Sequence, residues 1–251
     1  MLLDLLLLAA GLVAGFINSV AGSGSMLTIP ALMMYGLPAP LANGTNRVGL
    51  LAQGLFGIMG FRHGGVKIRP ITALLVIPAV LGALLGAQIA VQLPEDVLNI
   101  AITIILAVMV GTVFLKPKRW ERSHDGMENV HRRPVVWLAL LLTGIYAGFI
   151  QIGSGYFILF TALLIGGMDL LRANVLKVII QMALQLTVIP FYFYHGQIDW
   201  RAGLLLAAGM ALGAWIGSKM AIKGGAKFLR YVIIGSVLLF VGYQLFKVLG
   251  S

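Results

Sequence analysis

The sequence contains no cysteine and few charged residues. Without cysteine the chain forms no disulfide, has no thiolate nucleophile and offers no Cys-ligated metal, while the redox compartment stays open. Charged residues make up 10% of the 251 residues, hydrophobic residues make up 60%, and the mean hydropathy is +0.99. This balance excludes a water-soluble domain, because such domains carry about 25% charged residues. The chain is therefore expected to be a polytopic membrane protein.

Acidic residues are especially scarce, with 8 Asp and Glu against 18 Lys and Arg. The positive-inside bias of a membrane protein accounts for the net charge of +10, so nucleic-acid binding is not expected. The four histidines are scattered, without an acid inside a predicted span, and Ser154 has no histidine near it in sequence. We therefore expect no metal site, no cofactor and no enzymatic nucleophile with its base.

Apolar runs of about 20 residues predict an all-α architecture, because the strands of a membrane barrel would alternate residue by residue. The runs and their breakers predict ten helical segments, at 2–20, 25–36, 40–62, 70–92, 96–115, 134–152, 155–167, 170–194, 200–220 and 227–249. The second and seventh segments are too short to cross a bilayer at about 1.5 Å per residue, so each is predicted to be a half-helix. The first segment lacks a basic leader and is expected to stay uncleaved.

The two halves of the chain match each other in sequence. Gly-x-x-Ala-Gly-Phe-Ile-Asn at 11–18 aligns with Gly-x-x-Ala-Gly-Phe-Ile-Gln at 144–151, and Gly-Ser-Gly at 22–24 aligns with 153–155. Further matches in the same order are Ala42-Asn43 with Ala173-Asn174, His63-Gly64 with His195-Gly196, Leu81-Gly82-Ala83 with Leu212-Gly213-Ala214, and Val110-Gly111 with Val241-Gly242. This pattern predicts an internal duplication, with transmembrane repeats at 1–115 and 134–251 and a basic linker at 116–133.

Charges at the turns predict how the repeats are oriented. The linker holds six basic residues, and Arg62, Lys67 and Arg69 cluster two crossings earlier, so both clusters share one side. In the first half the basic turn follows the third segment, whereas in the second half it follows the fourth. By the positive-inside rule the repeats are inverted, with a cytoplasmic linker and both termini outside. Charge counting leaves open whether the first two segments of each half cross fully or form a re-entrant hairpin.

Two short polar runs, Asn18 to Ser25 and Gln151 to Gly155, interrupt the apolar segments. Neither run suits a lipid-facing helix, because Gly is a poor helix former and small hydroxyl residues compete for backbone hydrogen bonds. At mid-membrane depth such backbone is tolerated only where protein or a water-filled cavity covers it. Each run precedes a half-helix, and helix N-terminal ends favour anions. The two runs are therefore predicted to meet near the midplane as one anion site.

The helices after the half-helices carry polar side chains and, away from their ends, one cation each. Asn174, Lys177, Gln181 and Gln185 lie three, four and four residues apart, which places them on one helix face. A charge inside a span costs about 2.5 to 3.5 kcal/mol on insertion scales, so Arg47 and Lys177 need compensation. A substrate anion would supply it. The alternative is that both cations snorkel to the membrane interface.

Other repeated residues have simpler interpretations. His63 and His195 recur at the same turn and are interpreted as structural caps, with proton coupling as the alternative. The aromatic residues at 191–194 are interpreted as lipid-facing or interfacial. Six glycines are expected to serve close helix packing: Gly11, Gly15, Gly82, Gly86, Gly144 and Gly148.

These motifs resemble a known family. The residues that carry the resemblance are 11–18, Ala21-Gly22-Ser23-Gly24-Ser25, Ile29-Pro30-Ala31-Leu32, Gly36-Leu37-Pro38, Ala42-Asn43-Gly44-Thr45-Asn46 and, in the second copy, 144–177. They resemble the TauE/SafE family, also called the toluene sulfonate uptake permease family. The resemblance spans essentially the whole chain. It implies a multi-pass inner-membrane carrier for small sulfur-containing anions such as sulfite, sulfonates, sulfoacetate or thiosulfate. Members often have a Gly-rich run where this chain alternates Gly and Ser at 22–25.

Taken together, the residues and the resemblance predict a secondary transporter that alternates access around a site between inverted repeats. An anion channel with the same lining is the alternative. The expected partners are the anion and membrane lipid. The candidate substrate-binding residues are Asn18, Ser19, Gly22, Ser23, Gly24, Ser25, Asn43, Thr45, Asn46, Arg47, Gln151, Gly153, Ser154, Gly155, Asn174, Lys177 and Gln181. Proton coupling would use His63, His195 or the sulfite/bisulfite equilibrium of the ligand. The exact anion, the transport direction and the oligomeric state stay open.

Overall fold

A computed structural model describes residues 2–20, 22, 24–66, 71–112 and 133–249. Ser23, Lys67, Arg69 and residues 116–132 of the predicted linker lie outside the described residues. Regular secondary structure in the described part is helical throughout. The elements are α1 (Leu2–Val20), α2 (Ser25–Met34), α3 (Ala39–His63), α4 (Ile71–Gln92), α5 (Glu95–Thr112), α6 (Pro134–Phe149), α7 (Ser154–Phe160) with a π-helical continuation (Thr161–Ile165), α8 (Leu170–Tyr194) and α9 (Trp200–Leu249).

The predicted helical segments are confirmed, and their described ends lie within a few residues of the predicted ones. Helix α6 ends at Phe149 instead of at 152, because the backbone of the second polar run leaves the helix earlier. The last two predicted helices follow one another within α9 and are separated at Gly225, whose φ of 59° and ψ of −160° are not helical. Four described segments are long and apolar enough to cross a membrane: Leu2–Val20, Leu74–Gln92, Leu170–Tyr194 and Trp200–Gly225.

The two short helices are half-helices, as predicted. Helix α2 has 10 residues, and α7 with its π-helical turn has 12 residues over Ser154–Ile165. At about 1.5 Å per residue they are about 15 and 18 Å long. The hydrocarbon core of a bilayer is about 30 Å thick, so neither helix spans it.

Glycines with positive φ recur at equivalent places in the two halves. Each pair is separated by 131 residues: Gly22 (91°) and Gly153 (67°), Gly36 (109°) and Gly167 (72°), Gly65 (82°) and Gly196 (66°). The first pair precedes the half-helices and the second pair follows them. The third pair follows α3 and α8. A Cβ is disfavoured at such φ values, which explains why glycine occupies all six positions. This recurrence of backbone shape is what the duplication predicted from the sequence would produce.

The first helix of each half packs closely on a helix of the other half. A Cβ built at Gly15 of α1 would lie 2.7 Å from the Cα of Met210 on α9. In the same way, a Cβ at Gly148 of α6 would lie 2.7 Å from the Cα of Ala83 on α4. Equally close approaches occur at Gly11, Gly82, Gly86 and Gly144. The packing role expected for these six glycines is confirmed.

Helices α3 and α8 run antiparallel at the centre of the molecule. The Asn43 Nδ2 lies 3.1 Å from the Tyr192 hydroxyl near one end of this helix pair. Towards the other end, a Cβ at Gly57 would lie 3.1 Å from the Val178 Cγ1. Residue numbers therefore rise along α3 as they fall along α8. The two helices carry half of the buried polar side chains of the described residues.

Candidate functional site

The structure brings the two polar runs together. Gly22 follows the end of α1, and Gly155 lies in the first turn of α7. A Cβ at Gly22 would lie 2.8 Å from the Gly155 Cα and 3.0 Å from the Lys177 Cδ. The backbones of the two runs are therefore in direct contact beside Lys177.

Lys177 forms the centre of one polar cluster. Its side chain is fully buried, and its Nζ donates to the carbonyls of Asn18 (2.7 Å) and Ser19 (3.3 Å) and to the Asn174 Oδ1 (2.6 Å). The Asn174 Nδ2 also donates to the Ser19 carbonyl at 2.8 Å. Asn18 and Ser19 belong to the last turn of α1, whose carbonyls lack intrahelical partners and carry the negative end of the helix dipole. Lys177 therefore caps α1.

Arg47 forms the centre of a second polar cluster, on α3. Its guanidinium donates to the carbonyls of Ala147 (3.2 Å) and Gly148 (2.6 Å) and to the Tyr192 hydroxyl (2.9 Å). The guanidinium carbon also lies 4.3 Å from the centroid of the Tyr192 ring, a cation–π geometry. Ala147 and Gly148 lie in the last turn of α6. Arg47 therefore caps the first helix of the second half, just as Lys177 caps that of the first.

The snorkelling alternative is wrong for both cations, since each side chain is 0% exposed. Carbonyl oxygens, and for Lys177 one amide oxygen, are their main acceptors. No carboxylate among the described residues forms an ion pair with either cation. Carbonyl dipoles stabilise a buried cation, but they do not neutralise its charge.

The two clusters are separate. Lys177 and Tyr192 lie on the same helix, and at about 1.5 Å per residue their Cα atoms are about 22 Å apart. Because Arg47 contacts Tyr192, it lies towards that distant end. The structure thus separates the two cations of the predicted site: Lys177 hydrogen-bonds the first polar run, and Arg47 hydrogen-bonds the last turn of α6, just before the second run.

Other predicted residues of the first half hold neighbouring elements in place. The Asn46 Oδ1 accepts a hydrogen bond of 2.6 Å from the Thr28 hydroxyl of α2. The Thr45 hydroxyl accepts one of 2.8 Å from the backbone N–H of Asp199, just before α9. Gly24 and Ser25 are buried at the start of α2, and a Cβ at Gly24 would lie 2.8 Å from the Asn18 Cβ.

The second run and its surroundings are also buried and polar. The Gln151 Nε2 donates to the Ser154 Oγ at 2.8 Å, next to Gly153 with its positive φ. The Asn18 Nδ2 donates to the Gln53 Oε1 of α3, also at 2.8 Å. Several buried polar atoms nevertheless have no hydrogen-bond partner: Asn18 Oδ1, Asn43 Oδ1, Asn46 Nδ2, Arg47 Nε, Gln53 Nε2, Gln151 Oε1, Gln181 Oε1 and Gln185 Oε1. An unpaired buried polar group costs about 1 to 3 kcal/mol, so these atoms are the ones that a polar ligand or water could satisfy.

The interpretation of residues 191–194 as lipid-facing or interfacial is wrong for Tyr192, which is 0% exposed. Its hydroxyl contacts both Asn43 and Arg47. The sequence spacing could have predicted this position, because Tyr192 lies seven residues after Gln185 and therefore falls on the polar face of α8. Thr28 had no comparable signal, since a single threonine in an apolar helix is common.

The two histidines lie outside both clusters. The Nδ1 of His63 lies 2.9 Å from the carbonyl of Met59, and that of His195 lies 2.8 Å from the carbonyl of Phe191. Both side chains are exposed at helix ends. This geometry matches their interpretation as structural caps.

The N-terminal ends of the two short helices meet at a buried polar centre, inside a bundle of apolar helices. Discontinuous helices of this kind are typical of secondary transporters, in which irregular backbone is tolerated because it lines the transported solute's site.

Comparison with known proteins identifies the family. The family model described as Sulfite exporter TauE/SafE matches residues 7–245. A probable membrane transporter protein of a Sinorhizobium species is 31% identical over 91% of this chain and 87% of its own length. A probable membrane transporter protein of Haemophilus influenzae is 31% identical over 92% of this chain and 91% of its own length. The probable membrane transporter protein YfcA of Escherichia coli K12 is 28% identical over 89% of this chain and 82% of its own length. No solved structure matches. The chain belongs to the TauE/SafE family of multi-pass membrane transporters.

Proposed function

We propose that the protein carries a small sulfur-containing anion across the membrane by alternating access, and that the anion binds between the polar runs beside Lys177. The observation that carries the proposal is the position of Lys177. It is a fully buried cation in contact with the meeting point of the two runs, and it has no carboxylate partner among the described residues. Charges of this kind inside membrane spans mark substrate and ion pathways.

The groups around Lys177 suit a small oxyanion. Ser25 and Ser154 are buried at the first residues of the two half-helices, where their hydroxyls can donate to anion oxygens. Asn18 and Gln151 each have an unpartnered amide oxygen, and a half-turn of the amide presents its NH2 group instead. Sulfite, sulfonates and thiosulfate each offer several oxygens to such donors.

Anion binding would compete with the contacts that Lys177 now makes. An ammonium group has three N–H donors, and Asn18, Ser19 and Asn174 together offer three acceptors. An anion that takes one of these donors releases a carbonyl at the end of α1 or frees Asn174. Binding is thereby linked to movement of α1 against α8, which is the coupling that alternating access needs.

The contact between Gly22 and Gly155 supports a carrier over a channel. The two backbones leave no room for a Cβ between them. An anion passing between the runs therefore requires them to separate. A channel would keep a continuous pore open instead.

The test is a thermal-shift screen of the purified protein with sulfite, sulfate, thiosulfate, taurine and sulfoacetate, followed by uptake into proteoliposomes. At least one anion is expected to raise Tm and to be taken up with saturation. Lys177→Ala should abolish both effects, whereas Lys219→Ala, which removes an exposed lysine next to Trp215, should preserve them. If Lys177→Ala folds and binds like the unaltered protein, the site lies elsewhere. Flux that rises linearly with concentration supports the channel.

A further inference from the structure

A line of buried polar side chains connects the two cation clusters. Along α8, Lys177, Gln181, Gln185 and Tyr192 are spaced by four, four and seven residues, so they share one helix face. All four are at most 1% exposed. This face of α8 therefore points into the protein over about 22 Å, most of the thickness of the hydrocarbon core.

Helix α3 supplies the opposite side of this line. Gln53 lies near the Lys177 end, since its Oε1 accepts from Asn18, whose carbonyl accepts from Lys177. Arg47 and Asn43 lie at the Tyr192 end. The antiparallel course of the two helices keeps this order. We call this α3–α8 interface between Lys177 and Tyr192 the polar seam.

Unpartnered polar atoms occur along the whole polar seam. Gln53 Nε2, Gln181 Oε1 and Gln185 Oε1 lack partners in its first part, and Asn43 Oδ1 and Arg47 Nε lack them at its far end. Unpaired polar groups are costly inside a membrane, and their alignment between two cations indicates a polar passage.

We propose that the transported anion follows the polar seam from Lys177, past Gln181 and Gln185, to a second binding position at Arg47 and Tyr192. This inference rests on the proposed function. Each end offers a cation that caps the first helix of one half, and each glutamine amide offers a donor to the anion and an acceptor to its hydrating water. Movement of α1 opens the Lys177 end, and movement of α6 opens the Arg47 end.

The absence of native cysteine allows a direct test, because a single introduced cysteine is the only thiol in the protein. Gln181→Cys and Gln185→Cys are treated in proteoliposomes with 2-sulfonatoethyl methanethiosulfonate, which is itself a sulfonate anion. Ile180→Cys and Leu186→Cys are the matched controls, because Ile180 is buried off the seam and Leu186 is 55% exposed on the outer surface. Both cysteines on the seam are expected to be labelled to completion, and both controls to stay at background.

Protection distinguishes a passage for anions from a passage for water. Sulfoacetate or taurine in excess should slow labelling at positions 181 and 185, and labelling should block uptake. Sulfite and thiosulfate are unsuitable competitors, since they react with the reagent. A folded Gln185→Cys variant that transports but resists labelling would overturn the proposal, even if Lys177 binds the anion. If both seam cysteines are labelled but no sulfur-containing anion binds, the polar passage is supported and the proposed substrate class is wrong.

A second measurement covers the case in which the cysteine variants fail to fold. Tyr192→Phe removes one hydroxyl and keeps the ring that Arg47 stacks on. If the anion binds at Arg47, this variant should change the concentration that half-saturates uptake from the Arg47 side and leave that from the Lys177 side unaltered. Equal effects from both sides, or no effect, would contradict a second binding position.

Discussion

Gly22 and Gly155 lie so close that neither tolerates a side chain. A Cβ at Gly22 would lie 2.8 Å from the Gly155 Cα, and a Cβ at Gly155 would lie 2.9 Å from the Gly22 carbonyl carbon. One residue belongs to each half of the chain, so their contact is where the two halves meet at the site. Separation of the two polar runs therefore lengthens this distance.

Substituting either glycine with alanine should abolish uptake. Gly22→Ala adds a Cβ at φ 91° and inserts it into the contact, whereas Gly155→Ala only inserts it. Gly196→Ala is the matched control, because Gly196 has φ 66° but nothing within 4 Å of the added Cβ. The control should lose about 1 to 2 kcal/mol of stability from its backbone and retain uptake. Uptake is measured in proteoliposomes. Loss of uptake in Gly22→Ala and Gly196→Ala, with uptake retained in Gly155→Ala, would show that strain and not contact is responsible.

Much of the fold could be predicted from the sequence because its signals are local. Apolar run lengths and Gly or Pro breakers predict where helices begin and end, and the short run at 25–36 predicts a half-helix. The six packing glycines were recognisable since small residues in apolar helices have few other uses. The two polar runs could be placed together because they occupy matching positions in the two repeats.

The partners of the two cations could not be predicted in this way. Every residue carries a backbone carbonyl, so no sequence pattern marks the last turns of α1 and α6 as the acceptors for Lys177 and Arg47. Helix periodicity places a residue on a face but leaves its depth relative to another helix open. For this reason the sequence suggested one site with two charges, whereas the antiparallel crossing of α3 and α8 separates them.

Arg47→Lys should lower Tm although it preserves the charge. The guanidinium reaches Ala147, Gly148 and Tyr192 at once, whereas an ammonium is a compact point charge without the planar fork. Loss of one or two buried hydrogen bonds should cost about 1 to 3 kcal/mol. Unfolding of the purified protein in detergent measures this effect.

A double-mutant cycle with Tyr192→Phe assigns the Arg47 effect to its partner. Because Arg47 and Tyr192 are in contact, their combined effects should differ from the sum by about 0.5 to 3 kcal/mol. Arg201→Lys, at the exposed start of α9, is the control for replacing an arginine and should leave the Tyr192→Phe effect unchanged. Strict additivity of Arg47→Lys and Tyr192→Phe would mean that the guanidinium acts through α6 alone.

Thr28→Val should weaken the attachment of the half-helix α2. The Thr28 hydroxyl donates to the Asn46 Oδ1 at 2.6 Å, and the Asn46 Nδ2 has no partner. Valine keeps the shape and leaves the whole Asn46 amide unpaired, at a cost of about 1 to 3 kcal/mol. Thr28→Ser keeps the hydroxyl and should preserve both Tm and uptake. The idea is wrong if serine and valine have the same effect.

Replacing His63 and His195 with glutamine should leave any proton coupling of uptake intact. His63 and His195 are exposed, and each Nδ1 is engaged with a carbonyl of its own helix, so neither reaches the Lys177 cluster. If protons move with the ligand as bisulfite, a pH gradient should drive sulfite uptake but not the uptake of a sulfonate, which stays ionised. Uptake of sulfite and of sulfoacetate into vesicles with and without an imposed gradient separates the two routes. Gradient dependence for both anions that disappears in the His63→Gln/His195→Gln variant would assign the proton to the histidines, even though they lie at the helix ends.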